Sequence, residues 1–124
     1  YQQLFLIKKL IKKKYNTKVY SCLTVRDQNK VALSSRNVLV NKADIKKSSY
    51  VAKLLFKFKN NLKKNISNKK NLNTIILKLN KIKNIKVEYL EIRNKNNLSK
   101  LYDKRNFKIF LAYYNKKIRL IDNY

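Results

Sequence analysis

The sequence contains no glycine, proline, methionine or histidine, and Cys22 is its single cysteine. Without histidine or a second cysteine, the chain itself cannot form a Cys/His zinc site, a Cys-x-x-Cys pair or a Cys–His or Ser–His nucleophilic pair. Nothing near Cys22 supplies a base, so we interpret it as a small buried apolar residue. The missing methionine indicates that the chain does not begin at its own start codon unless an initiator was removed, and we infer a fragment.

Long apolar runs are missing as well. No run approaches the roughly 18 residues that a membrane-spanning helix needs. The N-terminal letters LFLI are followed at once by Lys8 and Lys9, which fits neither a secretory signal nor an anchor. The sequence therefore predicts a cytoplasmic protein with no membrane partner.

Acidic residues are scarce: six Asp and Glu stand against 32 Lys and Arg, which gives a formal net charge of +26. Such a charge suits a polyanion partner, because clustered cations attract phosphate backbones and release counterions. The chain is also rich in Asn, Ile, Leu, Tyr and Phe and poor in Ala, which is typical of a coding sequence biased toward A and T. We hypothesise that the charge is mostly mutational drift; a small basic nucleic-acid-binding protein is the alternative.

Apolar residues recur every three or four positions in three stretches, which predicts three helices. The length of 124 residues suits one compact domain. The first helix covers residues 1–14. Asn41 caps the second, which runs over roughly 42–64, and Asp44 places a carboxylate near its positive end. After a polar connection at 59–71, a third helix is marked by Leu72, Ile75, Ile76, Leu79 and Ile82.

The remaining apolar segments are rich in β-branched and aromatic residues, which predicts strands. A short strand is expected at 18–22. Three more are expected at 86–93, 107–114 and 117–122, with a tight turn at Asn115-Lys116 joining the last two. With no proline or glycine to mark ends, these boundaries are approximate. The pattern indicates an α+β unit in which two helices pack on a three-stranded antiparallel sheet.

The letters SSR at 34–36 are the main candidate for a binding site. Arginine occurs only five times against 27 lysines, yet Arg26 and Arg36 flank one short segment. Ser34, Ser35 and Arg36 offer two hydroxyls, adjacent backbone N–H groups and a planar fork of donors that binds phosphate oxygens bidentately. On its own the motif is weak, since a polar turn before a helix would have the same letters.

Four segments in order give the candidate a context: YQQLFLIKKLI, LTVRDQNKVALSSRN, VEYLEIRN and IRLIDN. Together they closely resemble the C-terminal half of the pantothenate synthetase (pantoate–β-alanine ligase) family. The resemblance implies that residues 1–37 are the tail of a Rossmann-like nucleotide-binding domain, including its ATP phosphate loop. Residues 38–124 would be a small C-terminal domain that covers the active site as a lid.

The resemblance also implies a reaction. Enzymes of this family use ATP and Mg²⁺ to convert pantoate into a pantoyl adenylate with loss of pyrophosphate, and β-alanine then attacks to give pantothenate and AMP. By position, Gln3 would hydrogen-bond pantoate, and Val25 would contact adenine through its backbone. Leu33, Ser34, Ser35 and Arg36 would close over the ATP phosphates, with Arg36 binding the triphosphate and the leaving pyrophosphate.

Four charged residues also match the family and are interpreted as residues that fix loops or cap the ends of the sheet: Arg26, Asp27, Arg119 and Asp122. Three positions depart from the family. Leu23 stands where proline is usual, and Lys30 and Lys116 stand where glycine is usual in turns. A positive φ at Lys30 would cost about 1 kcal/mol.

The family's N-terminal domain, which supplies half of the ATP site and the expected homodimer contact, lies outside this sequence. We therefore expect that this chain alone does not make pantothenate. Two rival classes are a basic nucleic-acid-binding protein, which predicts a focused cationic face with interleaved aromatics, and a structural or partner-binding fragment, which predicts no specific nucleotide affinity. The family resemblance implies pantoate, β-alanine and ATP as the ligands.

Overall fold

The structure is a computed structural model that describes residues 1–64, 71–103 and 105–124. Its elements, in chain order, are α1 Gln2–Lys14, a 3-10 helix Ser35–Leu39, α2 Lys42–Lys64, α3 Asn71–Asn80, β1 Ile85–Asn94, β2 Phe107–Asn115 and β3 Ile118–Asn123. The α+β prediction is confirmed, as are the three helices and the three C-terminal strands. Of the predicted connection at 59–71, residues 59–64 are the end of α2 and residue 71 begins α3, while 65–70 lie outside the described residues.

The sheet is an antiparallel meander in the order β1-β2-β3. Its central strand β2 is almost entirely buried, and a bulge interrupts β1 between Val87 and Tyr89. The β2–β3 turn lies one residue later than predicted, because Asn115 pairs with Ile118 and leaves Lys116 and Lys117 as the loop. Lys116 has φ 54°, so lysine occupies a left-handed position that favours glycine.

The core lies between one face of this sheet and the helices α2 and α3. Its fully buried members include Leu55 of α2, Leu79 of α3, and Ile109 and Leu111 of β2. The predicted cap of α2 is confirmed, since Oδ1 of Asn41 accepts the backbone N–H of Asp44 at 2.8 Å. The helical spacing of the apolar residues thus puts one stripe of α2 on the sheet, and most of its lysines are exposed.

The chain before the 3-10 helix packs much less. Helix α1 has no buried residue, and the strand predicted at 18–22 is wrong: those residues form no regular structure. Tyr20 is 83% exposed and Leu23 is 93% exposed. Cys22 is exposed, so its predicted burial is wrong too. A strand needs a neighbour for its backbone groups, and none lies beside this segment among the described residues.

Every helix in the described ranges is too short or too polar to cross a membrane.

Candidate functional site

Residues 25–33 form a small hairpin that leads directly into the SSR letters. Arg26 and Ala32 form its bridge, and the N–H of Leu33 donates to the carbonyl oxygen of Val25 at 2.9 Å. The turn closes where the N–H of Lys30 donates to the carbonyl oxygen of Asp27 at 3.0 Å. The hydrogen bonds at this turn give the segment its local order.

The turn has the strain expected from the missing glycine. Lys30 has φ 69°, which confirms that lysine takes a left-handed conformation there. Asp27 supports the turn from inside: its Oδ1 accepts the N–H groups of Asn29 and Val31 at 2.8 and 2.9 Å. The interpretation of Asp27 as a residue that fixes a loop is therefore confirmed.

Residues 34–36 follow as an exposed turn that starts the 3-10 helix. The Oγ of Ser34 accepts the backbone N–H of Arg36 at 3.2 Å, so the serine acts as the N-cap. Ser34, Ser35 and Arg36 are all exposed. The structure thus presents two hydroxyls and one guanidinium side by side at the surface, which is the donor set that a phosphate ester needs.

Arg36 is held in place without being neutralised. Its Nη1 donates to the carbonyl oxygen of Arg119 on β3 at 2.9 Å, and the ion pairs of the described residues do not include Arg36. Arg119, by contrast, donates from Nε to Glu88 at 2.6 Å. This hydrogen bond raises the pKa of Arg119 and lowers the pKa of Glu88. A carboxylate therefore balances Arg119, and Arg36 keeps its positive charge for an anion.

Arg26 lies on the inner side of the same hairpin and contacts the C-terminal strand. Its Nη1 and Nη2 donate to the two carboxylate oxygens of Asp122 at 2.7 and 2.8 Å. Burial lowers the pKa of Arg26, but the hydrogen bonds and charge of Asp122 outweigh burial and leave it above the ordinary value. The interpretation of Arg26 and Asp122 as residues that fix a loop is confirmed.

Two small cavities meet at Ser34. One, of about 120 Å³, lies beside Arg36 and is lined by Asp122 and Leu120 on the strand side. The other, of about 260 Å³, is lined by Gln2, Leu33 and Ile121, among others.

Of the remaining predicted site residues, Leu33 alone lines one of these two cavities. Leu33 is exposed on the rim of the second cavity, and Gln3 is exposed on α1 without lining either one. Val25 is also exposed and lines neither cavity, and its carbonyl oxygen already accepts the N–H of Leu33. The structure therefore places Leu33, Ser34 and Arg36 at the cavities, whereas Ser35, Gln3 and Val25 line neither of them.

Sequence reasoning missed Glu88, which sets the charge beside Arg36. Two signals were available: Glu88 is one of only six acidic residues in the chain, and it lies inside the VEYLEIRN segment. Each carboxylate in so basic a chain has many possible cationic partners, so the sequence could not say which one it meets.

The described residues do not provide a resident metal site. No group of three His, Cys, Asp or Glu side chains in ranges 1–64, 71–103 and 105–124 could hold a metal ion. Asp122, the carboxylate that lines the cavities at Ser34, is already bound by Arg26. A hard cation such as Mg²⁺ takes oxygen ligands, and the oxygens offered here do not fit a site of their own.

Comparisons with known proteins identify the family of the chain. The family described as Pantoate-beta-alanine ligase matches residues 1–124. A pantothenate synthetase of Francisella tularensis subsp. mediasiatica is 34% identical over 125 residues, which cover 100% of this chain and 40% of the relative. The chain thus spans less than half the length of the curated relatives it matches.

Two solved structures are similar along the whole chain. Pantoate-beta-alanine ligase from Francisella tularensis, complexed with beta-gamma ATP and beta-alanine, has a TM-score of 0.73 and 32% identity, and 40% of that protein is covered. Pantothenate synthetase from Thermus thermophilus has a TM-score of 0.86 and 26% identity, with 46% covered. This chain belongs to the pantoate–β-alanine ligase family and corresponds to its C-terminal part.

Proposed function

We propose that the chain supplies the C-terminal part of an ATP-dependent ligase that joins pantoate to β-alanine through a pantoyl adenylate. Pantoate would attack the α-phosphate of ATP, pyrophosphate would leave, and the β-alanine amine would then displace AMP to give pantothenate. The observation that carries the proposal is the family match over residues 1–124, which include the exposed donors at 34–36. The ATP and β-alanine in the Francisella tularensis complex support the same ligands here.

In this proposal, residues 34–36 hold the triphosphate. Arg36 places an unneutralised guanidinium beside two hydroxyls, and such fixed donors stabilise charge that develops as pyrophosphate leaves. Leu33 would cover the nucleotide from the cavity rim. Catalysis then depends on orientation and charge stabilisation, since neither adenylation nor the amine attack needs a nucleophile from the protein.

The outlying residues have narrower roles. The Val25 carbonyl accepts the N–H of Leu33, so we propose that adenine meets the backbone N–H of Val25. Gln3 would donate to pantoate from α1. The described residues do not form a site for Mg²⁺, so the ion would bind together with ATP. Its role would be to shield the phosphate charge.

We propose that residues 1–39 pack against the part of the family's length that this chain does not span. Most of the large apolar side chains exposed in the described residues lie in this shorter part of the chain, among them Leu6, Leu10 and Val38. Catalysis would need that complementary part, in one polypeptide or as a separate chain. Homodimerisation through it and a cytoplasmic location remain predictions.

The predicted domain division at 37/38 is a proposal that the contacts modify. Arg26 binds Asp122, Arg36 binds the carbonyl of Arg119, and the Oγ of Ser49 donates to the carbonyl oxygen of Asn29 at 3.2 Å. These contacts favour placing residues 26–37 with the C-terminal domain.

The test is a hybrid enzyme in which this chain replaces the matching 40% of the Francisella tularensis relative. Pyrophosphate release that requires both pantoate and ATP is expected. Arg36→Ala should reduce it by roughly a hundred- to a thousandfold, the range for losing one charge-stabilising donor. Arg93→Ala is the matched control, because Arg93 pairs with Glu91 on the sheet and should leave the rate nearly unchanged.

A folded hybrid that releases no pyrophosphate would reject the ligase proposal. The charge of +26 would then make RNA binding the next measurement, with a steep loss of affinity in salt as its signature.

A further inference from the structure

We propose that Arg26 is a positioning residue for phosphate binding: together with Asp122 it forms a clasp that fixes residues 34–36 onto β3. This inference rests on the proposed function for its link to catalysis. The clasp itself is visible in the contacts of the chain.

In the clasp, both terminal nitrogens of the Arg26 guanidinium donate two hydrogen bonds each. Besides its two bonds to Asp122, Arg26 donates from Nη2 to the carbonyl oxygen of Asn123 at 3.0 Å and from Nη1 to the carbonyl oxygen of Lys30 at 2.9 Å. The side chains of Arg26 and Asp122 are only 15% and 8% exposed. One side chain therefore binds the strained hairpin turn and the end of β3 at once.

Aromatic rings fix the plane of the guanidinium. Its Cζ lies 5.1 Å from the ring centroid of Phe56 on α2 and 4.9 Å from that of Tyr124. A planar, delocalised cation suits such a site, whereas a lysine ammonium cannot form the paired bonds to Asp122. This explains why position 26 is an arginine in a chain whose basic residues are almost all lysines.

Both ends of the candidate site are tied to the same strand. At one end Arg26 binds Asp122 and Asn123, and at the other Arg36 binds the carbonyl of Arg119. Ser34 and Ser35 lie between these two ties in the sequence. A loop held this way is ordered before the ligand binds, which reduces the entropy lost when phosphate groups are captured.

The clasp also controls charge at the cavities. Asp122 lines both cavities that meet at Ser34, so an unpaired carboxylate there would repel a triphosphate bound to residues 34–36. Arg26 neutralises it. Removing Arg26 should therefore harm ATP binding twice, by loosening the hairpin and by exposing a negative charge. Removing Asp122 as well should undo the second effect.

Kinetics on the hybrid enzyme separate these effects. Arg26→Gln should lower kcat/KM for ATP at least tenfold, mainly by raising KM for ATP, while KM for β-alanine stays close to wild type. The double variant with Asp122→Asn should recover part of the ATP affinity. Arg93→Gln, which breaks the Arg93–Glu91 pair on β1, far in sequence from the clasp, is the control. If folded Arg26→Gln behaves like Arg93→Gln, the inference is overturned, and it is overturned equally if Asp122→Asn brings no recovery.

Hydrogen exchange on the 124-residue chain tests the clasp without any enzymatic activity. Arg26→Gln should speed exchange at the N–H groups of Val31 and Leu33 at least tenfold, while that of Leu79, which is buried in α3, changes little. Uniform acceleration, or none, would contradict the clasp. If the wild-type hybrid is inactive, the ligase proposal fails, and the exchange pattern alone decides whether Arg26 positions residues 34–36.

Discussion

Replacing Lys30 with glycine is expected to stabilise the protein. Lys30 has φ 69° and an exposed side chain, and a residue with a β-carbon loses about 1–2 kcal/mol in this region. Glycine removes that cost but adds about 0.4–1 kcal/mol of chain entropy to the unfolded state. The balance is a gain of about 0.5–1 kcal/mol. The hydrogen bonds of the turn are kept: the N–H of Lys30 still donates to the carbonyl oxygen of Asp27, and Nη1 of Arg26 still donates to the carbonyl oxygen of residue 30.

Thermal and urea unfolding measure the gain. Lys30→Gly should raise Tm by roughly 2–5 °C for a chain of this size, with an unchanged urea m-value. Lys30→Ala is the matched control, because it removes the same charge but keeps the β-carbon and hence the strain. A Lys30→Gly protein no more stable than Lys30→Ala would refute the reasoning.

A second comparison uses the other lysine in a left-handed turn. Lys116 has φ 54°, so Lys116→Gly relieves similar strain, but it also removes the contact of its Nζ with Oδ2 of Asp44 at 2.6 Å. Asp44 is buried at the start of α2. We therefore expect a smaller gain than at Lys30, or a loss. Equal gains at both positions would show that the Asp44 contact contributes nothing.

Three further outcomes are expected. Hydrogen bonds from Lys116 and Lys47 hold the pKa of Asp44 well below its ordinary value of 3.8. The contribution of Asp44 to the free energy of unfolding is therefore complete above pH 3.8 and is lost as pH falls below it. Acid unfolding curves should show Asp44→Asn to be less stable than wild type at neutral pH but nearly equal to it near the acid limit. Burial raises the pKa of Tyr113 to about 12 from an ordinary 10.0, so stability should decline as pH rises above 10.0, and Tyr113→Phe should flatten that decline in alkaline denaturation. Ile109→Ala, at a fully buried position of β2, should cost about 2–5 kcal/mol in urea unfolding because it leaves a cavity; a cost below about 1 kcal/mol would contradict the packing described for the core.

The spacing of apolar residues in the sequence was sufficient to predict the helices and strands in the C-terminal part of the fold. The helix α2 buries one face, and the central strand β2 is buried on both, so helical spacing in the first and a run rich in apolar residues in the second report their environments directly. Local pattern failed at residues 18–22, where Tyr20 and its neighbours have the composition of a strand but no strand beside them among the described residues. A strand depends on its partner, and composition cannot supply one.

In the candidate site, too, local pattern identified residues but not the distant partners that they contact. Residue type and family resemblance singled out Arg36 and flagged Arg26 and Asp122. Neither could show that Arg26 reaches Asp122, because the two residues are separated by 96 positions and the pairing depends on how β3 lies against the hairpin. The charge state of the surface beside Arg36 depends likewise on Glu88, which no local pattern connects to it.

The clasp has a consequence for the order in which the molecule opens. The β-meander joins strands that follow one another in sequence. Residues 1–33, in contrast, reach the sheet through contacts between distant positions. Arg26 binds Asp122, 96 positions away, and the Tyr1 hydroxyl donates to the carbonyl oxygen of Lys95, 94 positions away. Closing so long a loop costs chain entropy, and residues 1–33 bury few side chains that would offset this cost. The first partly unfolded form is therefore one in which residues 1–33 have detached while α2, α3 and the sheet remain folded. Limited proteolysis should cut first within 15–25, so the protein is least stable directly before the segment that we propose binds phosphate.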